Sequence, residues 1–191
     1  GGLSVAAAAI TAVGVAAWDA GNTMDDAMDT IAVATGATGP ALDGLREDFE
    51  AVFTSVPTDA GTAADAIGIL NSRLDLTGPA LQNIAKPLLE ATRILGGDIT
   101  TNAEAFTRVM GDWNLPTEKA AGSLDALFVA AQQTGAPLDQ LMERVVQYGA
   151  PMRNFGFDFN EAAAILATFE AQGVNTEIVM GGLRTAQGKF I

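Results

Sequence analysis

Leu42, Leu45, Phe49, Val52, Phe53 and Val56 fall at i, i+3, i+7, i+10, i+11 and i+14, one apolar stripe down a single helix that opens at Pro40 and ends at Pro57. Similar stripes recur along the chain, each held between glycine and proline stops. Alternating runs of Val, Ile, Thr and Tyr are missing, while 36 of the 191 residues are alanine, the best helix former. The sequence therefore predicts an all-α chain. Its apolar content comes mostly as small side chains, with only 6% aromatics, so helices can approach one another closely.

The punctuation sets the expected elements. A first helix runs from Asp25 to Thr35 through Met28, Ile31 and Ala32 and stops at Gly36. After the Pro40 helix comes a less regular one from Ala60 to Leu74. Thr77-Gly78-Pro79 opens the next, striped by Leu81, Ile84, Leu88 and Leu95 and closed by Gly96-Gly97, with a bend expected near Asn83 because Pro87 lies inside it. Thr101 and Glu104 have capping-box spacing ahead of Phe106, Val109, Met110 and Trp113. Pro116 and Pro137 start two further helices, the second interrupted by Gly149 and Pro151. Asp158 with Glu161, or Asn160 alone, caps a helix through Ile165, Leu166 and Phe169, and Asn175 caps the last one. Nine helices of about 11 to 19 residues on short loops make a bundle or an array of hairpins. Thr38-Gly39-Pro40-Ala41-Leu42 and Thr77-Gly78-Pro79-Ala80-Leu81 match residue for residue, but a stop glycine, a first-turn proline and a core leucine are punctuation, not a solenoid repeat.

Ahead of these lies a separate segment, residues 1–21. Leu3 to Trp18 carries no charge, and Leu3, Val5, Ile10, Val13, Val15 and Trp18 are its larger apolar side chains. It reads as a helix buried among other helices or in a homo-oligomeric bundle, or as a weak membrane segment short of the ~20 strongly apolar residues that span a bilayer comfortably. Gly1 stands where a methionine would begin and Ile191 carries no ending signal, so the chain reads as a segment of a longer protein.

Charge and missing residue types exclude most chemistry. Ten Lys and Arg against 23 Asp and Glu leave a net charge of −13, which repels a phosphate backbone and disfavours direct, specific nucleic-acid binding. The chain has no histidine and no cysteine, which removes imidazole acid–base chemistry, thiol nucleophiles, disulfides and most transition-metal sites. Asp25, Asp26 and Asp29, and then Glu47, Asp48 and Glu50, are the densest acidic clusters, yet neither has calcium-loop spacing, and both read as solvated helix faces. The four serines, Ser4, Ser55, Ser72 and Ser123, lie in no nucleophile motif, and no glycine run makes a phosphate loop. No catalytic, cofactor-binding or metal-binding residue is assigned, and no cofactor is expected.

The ordered string of helices resembles the conserved helical region of phage tail tape measure proteins of the lactococcal-phage-type minor tail family. The resemblance begins at Met24-Asp25-Asp26-Ala27-Met28 and Val33-Ala34-Thr35-Gly36-Ala37-Thr38, and continues through Ala63-Ala64-Asp65-Ala66, Leu76-Thr77-Gly78 and Ala120-Ala121-Gly122-Ser123-Leu124. It is strongest at Tyr148-Gly149-Ala150-Pro151, Glu161-Ala162-Ala163-Ala164-Ile165-Leu166-Ala167, Gly173-Val174 and Gly181-Gly182-Leu183-Arg184. It covers roughly residues 24 to 190, inside a domain taken as 22–191. The resemblance implies a structural, non-enzymatic protein of the tail tube lumen or tail tip that sets tail length during assembly and helps the genome cross the host envelope. Implied partners are further copies of itself, plausibly three, the tube and distal hub proteins, and host membrane during ejection.

Physics divides those roles unevenly. A folded domain of this length has a radius of gyration of about 16 Å, whereas one continuous helix would reach roughly 290 Å. Short, punctuated helices suit docking at the tail tip or release into the envelope better than measurement. Two other classes stand beside this one: a helical adaptor, which needs an exposed apolar stripe left over after packing, and a cell-wall glycosidase built on glutamates, which needs one carboxylic acid with a raised pKa facing a second.

Overall fold

The structure, a computed structural model, describes residues 21–187. The described residues form nine α-helices and no strand, so the fold is all-α. The chain divides into two compact units, Gly1–Thr107 and Arg108–Ile191.

In the first unit, α1 (Gly21–Thr35) packs along α3 (Ala60–Leu74), α2 (Pro40–Phe53) packs along α4 (Gly78–Leu95), and α3 also touches α2 and α4. The α1–α3 contact shows what alanine supplies. Ala27, Met28 and Ile31 of α1 and Ala60, Ala63, Ala64, Ile67 and Leu70 of α3 are all buried. A Cβ placed on Gly68 would lie 2.8 Å from the Ala34 Cβ, so only glycine lets the two helices come this close. The stripe of α2 buries Leu45, Phe49, Val52 and Phe53, with the Phe49 and Phe53 rings stacked at 5.4 Å, and Val56 continues the core beyond the helix end.

Local chemistry sets the ends. Asp59 caps α3, its carboxylate accepting the Thr62 backbone N–H at 2.8 Å and the Thr62 hydroxyl at 2.6 Å. Asp75 closes the same helix in the left-handed conformation, and Gly96, at φ +83°, closes α4. Helix α4 runs unbroken through Pro87. Proline removes the donor for the Asn83 carbonyl, but Asn83 is exposed, so that group can turn to water. Helix α5 (Ile99–Asp112) differs from the expectation at its start. Asp98, not Thr101, is the cap: its carboxylate accepts the Thr101 N–H at 2.9 Å, and Glu104 pairs instead with Arg73 of α3. Asn102 is fully buried and donates to the Thr92 hydroxyl at 3.0 Å.

In the second unit, α6 (Thr117–Thr134) packs along α8 (Phe159–Ala171), and α7 (Leu138–Asn154) packs on both. Helix α9 (Thr176–Gln187) rests on α7 and α8, with Met180 buried. Pro116 and Pro137 sit at the N-cap positions of α6 and α7, one residue before the first helical turn. Gly149 and Pro151 do not interrupt α7, which continues to Asn154. Gly149 is in ordinary helical conformation, and the carbonyl deprived of a donor by Pro151 belongs to exposed Gln147. Asp158 and Glu161 form a reciprocal capping box on α8, at 2.9 and 3.0 Å, and Asn175 caps α9 by accepting the Ile178 N–H at 3.1 Å.

Candidate functional site

The sequence stretch around Gly149 acquires a physical account in the second unit. The stripe Leu141, Val145, Tyr148 and Met152 turns one face of α7 into the core, and Trp113, just past α5, inserts against it. The indole Nε1–H donates to the Val145 backbone carbonyl at 3.1 Å, in a buried position. Phe159, the first residue of α8, meets the Trp113 ring edge-on at 5.5 Å, and the Arg153 guanidinium lies 4.8 Å from its centroid. Arg153 also reaches Asp112 at 3.4 Å. All of this crowds Gly149: a Cβ there would collide with Asp112 Oδ2 and lie 3.0 Å from the indole nitrogen and 3.1 Å from Arg153. A side chain here would have to displace the partly exposed ends of Asp112 and Arg153 and press on the hydrogen-bonded indole, so the constraint on Gly149 is one of space and not of backbone freedom.

Two concavities flank this latch. One, of about 650 Å³, is an open groove that includes Trp113, Leu115, Lys119, Ser123, Phe157 and Asn160. The other, of about 370 Å³, is polar and lies where Arg144, Gln147 and Tyr148 of α7 face the turn into α9 at Gly173 to Glu177.

The acidic clusters separate. Asp25, Asp26 and Asp29 are exposed on α1, as is Glu47 on α2. Asp48 overturns the solvated-face expectation: it is 2% exposed and accepts hydrogen bonds from the Gly78 backbone and the Gln82 amide, both at 2.7 Å. A signal for this existed, since Asp48 stands three residues after Leu45 and four before Val52, in register with the apolar stripe. Glu90 is also buried, 3% exposed, and paired with Arg93. Hydrogen bonds from the Thr62 side chain and backbone hold the Asp59 carboxyl below the ordinary range, whereas burial, then the charges of Asp98 and Asp59, push Asp65 up. Asp65 lines neither concavity.

Among the described residues no group of three or more Asp or Glu is placed to hold a metal ion, and no helix is long and apolar enough to cross a membrane. Leu3, Val5, Ile10, Val13, Val15 and Trp18, the bundle or membrane face expected from the sequence, lie outside the described residues. Among the described residues the exposed large apolar side chains are Val33, Ile94 and Ile178, on three different helices, and they do not make the continuous stripe an adaptor groove needs.

A family model described as phage-related minor tail protein matches residues 46–189. The chain belongs to this family. The matched span begins in α2, two residues before Asp48, and takes in the Trp113 latch and the α8 capping box, whereas α1, which packs along α3 in the first unit, precedes it. No curated protein and no solved structure matches the chain. Membership makes this all-α protein a structural component of a phage tail.

Proposed function

We propose that this minor tail protein is a section of a tape measure protein, residing in the tail tube lumen or at the tail tip. The parent governs tail length during assembly and aids passage of the genome across the host envelope. It acts in several copies, as a trimer, against tube and hub proteins, without cofactor and without catalysis. Within that protein this section docks or is released; it is not the ruler.

The observation that carries this reading is the folding-back of short helices within each unit of a phage tail family member. Among the described residues the longest helices have 18 residues, about 27 Å at 1.5 Å per residue, and each lies against its neighbours instead of extending a rod. The residues Leu3, Val5, Ile10, Val13, Val15 and Trp18 supply the face that joins copies or enters the envelope.

The test is an in-frame deletion of this section from its parent gene, followed by electron microscopy of the tails. Tails of unaltered length with impaired infection, or a failure to assemble tails, support a docking role. Tails shortened by about 1.5 Å per deleted residue, roughly 290 Å in all, would show that the section is measured out as an extended helix.

A further inference from the structure

We propose that the smaller concavity, between the Tyr148 end of α7 and the first turn of α9, is a socket for a carboxylate. Tyr148 is the observation that points to a ligand. It is only 4% exposed, it lines the cavity, and its hydroxyl has no hydrogen-bond partner among the described residues. A polar atom that reaches a cavity from an otherwise buried ring, and is not used by the fold, is free to donate.

Other donors converge on the same space. The first N–H groups of a helix have no intrahelical acceptor, and at α9 the Asn175 side chain takes only that of Ile178, leaving those of Thr176 and Glu177 directed to the cavity end of the helix. Arg144 lines the cavity too and is held loosely: Glu170 lies 3.4 Å from its Nε and the Gln147 side-chain oxygen Oε1 3.4 Å from its NH1, both longer than a tight charge-assisted contact. An incoming carboxylate can replace either contact without stranding the guanidinium.

The charges select among oxyanions. Arg144 brings one positive charge, while Glu170 beside it and Glu177 on the rim bring two negative ones. A singly charged, planar carboxylate, small enough to sit on the tyrosine hydroxyl and the helix N–H groups, suits this balance. A phosphate dianion would meet both glutamates. The site stands on the cavity itself and does not depend on where in the tail the protein resides.

Tyr148 is the only tyrosine in the chain, so its ring resonances report this site alone. The experiment is NMR titration of the intact chain, labelled at the tyrosine ring and at backbone amides, with sodium acetate, sodium phosphate and sodium chloride at matched ionic strength. Expected are saturable shifts of Tyr148 and of the Thr176 and Glu177 amides with acetate, reduced at least tenfold in apparent affinity by Arg144→Gln. The wild-type amide shifts provide a reading that needs no variant. Identical responses to acetate and chloride, or tighter binding of phosphate than acetate, overturn the assignment, as does unchanged acetate binding in a folded Arg144→Gln protein.

Discussion

The Asp48 carboxylate, on α2, accepts the backbone N–H of Gly78, the first residue of α4, at 2.7 Å. The N-cap residue itself, Thr77, makes no side-chain bond to the helix, so the cap of α4 is supplied from 30 residues away. The second Asp48 oxygen holds Gln82 one turn further on, and the negative charge sits at the positive end of the helix dipole.

Asp48→Ala is therefore expected to destabilise the protein by about 2–3 kcal/mol, because it removes a charged acceptor from two donors. Thr77→Ala, at the nominal cap position, is expected to cost under ~0.5 kcal/mol. Urea unfolding of the two variants checks the contrast; equal losses would mean that Asp48 does not cap α4.

Two helical glycines, one buried and one exposed, should respond in opposite directions. Gly149→Ala forces a methyl group into Asp112, Trp113 and Arg153 and should cost about 1–3 kcal/mol while shifting tryptophan fluorescence. Gly122→Ala, mid-helix in α6 with open space beyond its Cα, should stabilise by about 0.5–1 kcal/mol. Thermal melts of the pair decide it, and a stabilised Gly149→Ala would remove the steric account of that glycine.

Asp59 and Asp65 should give pH dependences of opposite sign. The folded-state pKa of Asp59 is lowered by its bonds to Thr62, so its contribution is present above the ordinary aspartate value of 3.8 and is lost as the pH falls through the lowered value. Asp59→Ala should cost about 1 kcal/mol at neutral pH, with the gap to wild type narrowing in acid. The pKa of Asp65 is raised by burial, so ionising it disfavours the fold, and stability declines as the pH rises from 3.8 through the raised value. Asp65→Asn should be more stable than wild type at neutral pH and lose that advantage below 3.8. Denaturant melts across this range check both signs.

Liposome flotation tests the proposed role of the Ala-rich segment. The intact chain is expected to float with anionic and neutral vesicles, and a version lacking residues 1–20 to remain in the pellet fraction. If neither floats, and the intact chain forms discrete oligomers that the truncation loses, the segment joins copies and envelope insertion is wrong.

Much of the secondary structure was legible because helix ends are local events. The Ala60–Leu74 helix, the glycine at the end of α4, the Asp158–Glu161 box and the Asn175 cap each depend on residues within one turn of each other. The errors arose where two local rules competed. Thr101 and Glu104 had the spacing of a capping box, but Asp98 was the better acceptor and Glu104 had a cation on another helix. Gly149 and Pro151 had the composition of a break, but the packed face of Leu141, Val145, Tyr148 and Met152 keeps α7 helical beyond them.

By itself, the sequence determined the all-α class, the number and order of the helices among the described residues and the exclusion of histidine and cysteine chemistry, since propensity, periodicity and residue type are properties of short stretches or of composition; the ends of some helices moved, α1 beginning at Gly21 and not Asp25, and α2 ending at Phe53, short of Pro57. Only the tertiary structure decided that Asp48 is a buried cap and not part of a solvated acidic face, that Gly149 is a contact point for Trp113, and that Tyr148 lines a polar cavity with no hydrogen-bond partner among the described residues. Those relationships join residues about 30 or more positions apart. Their energies depend on distance and burial, quantities that do not exist until distant helices are brought into contact.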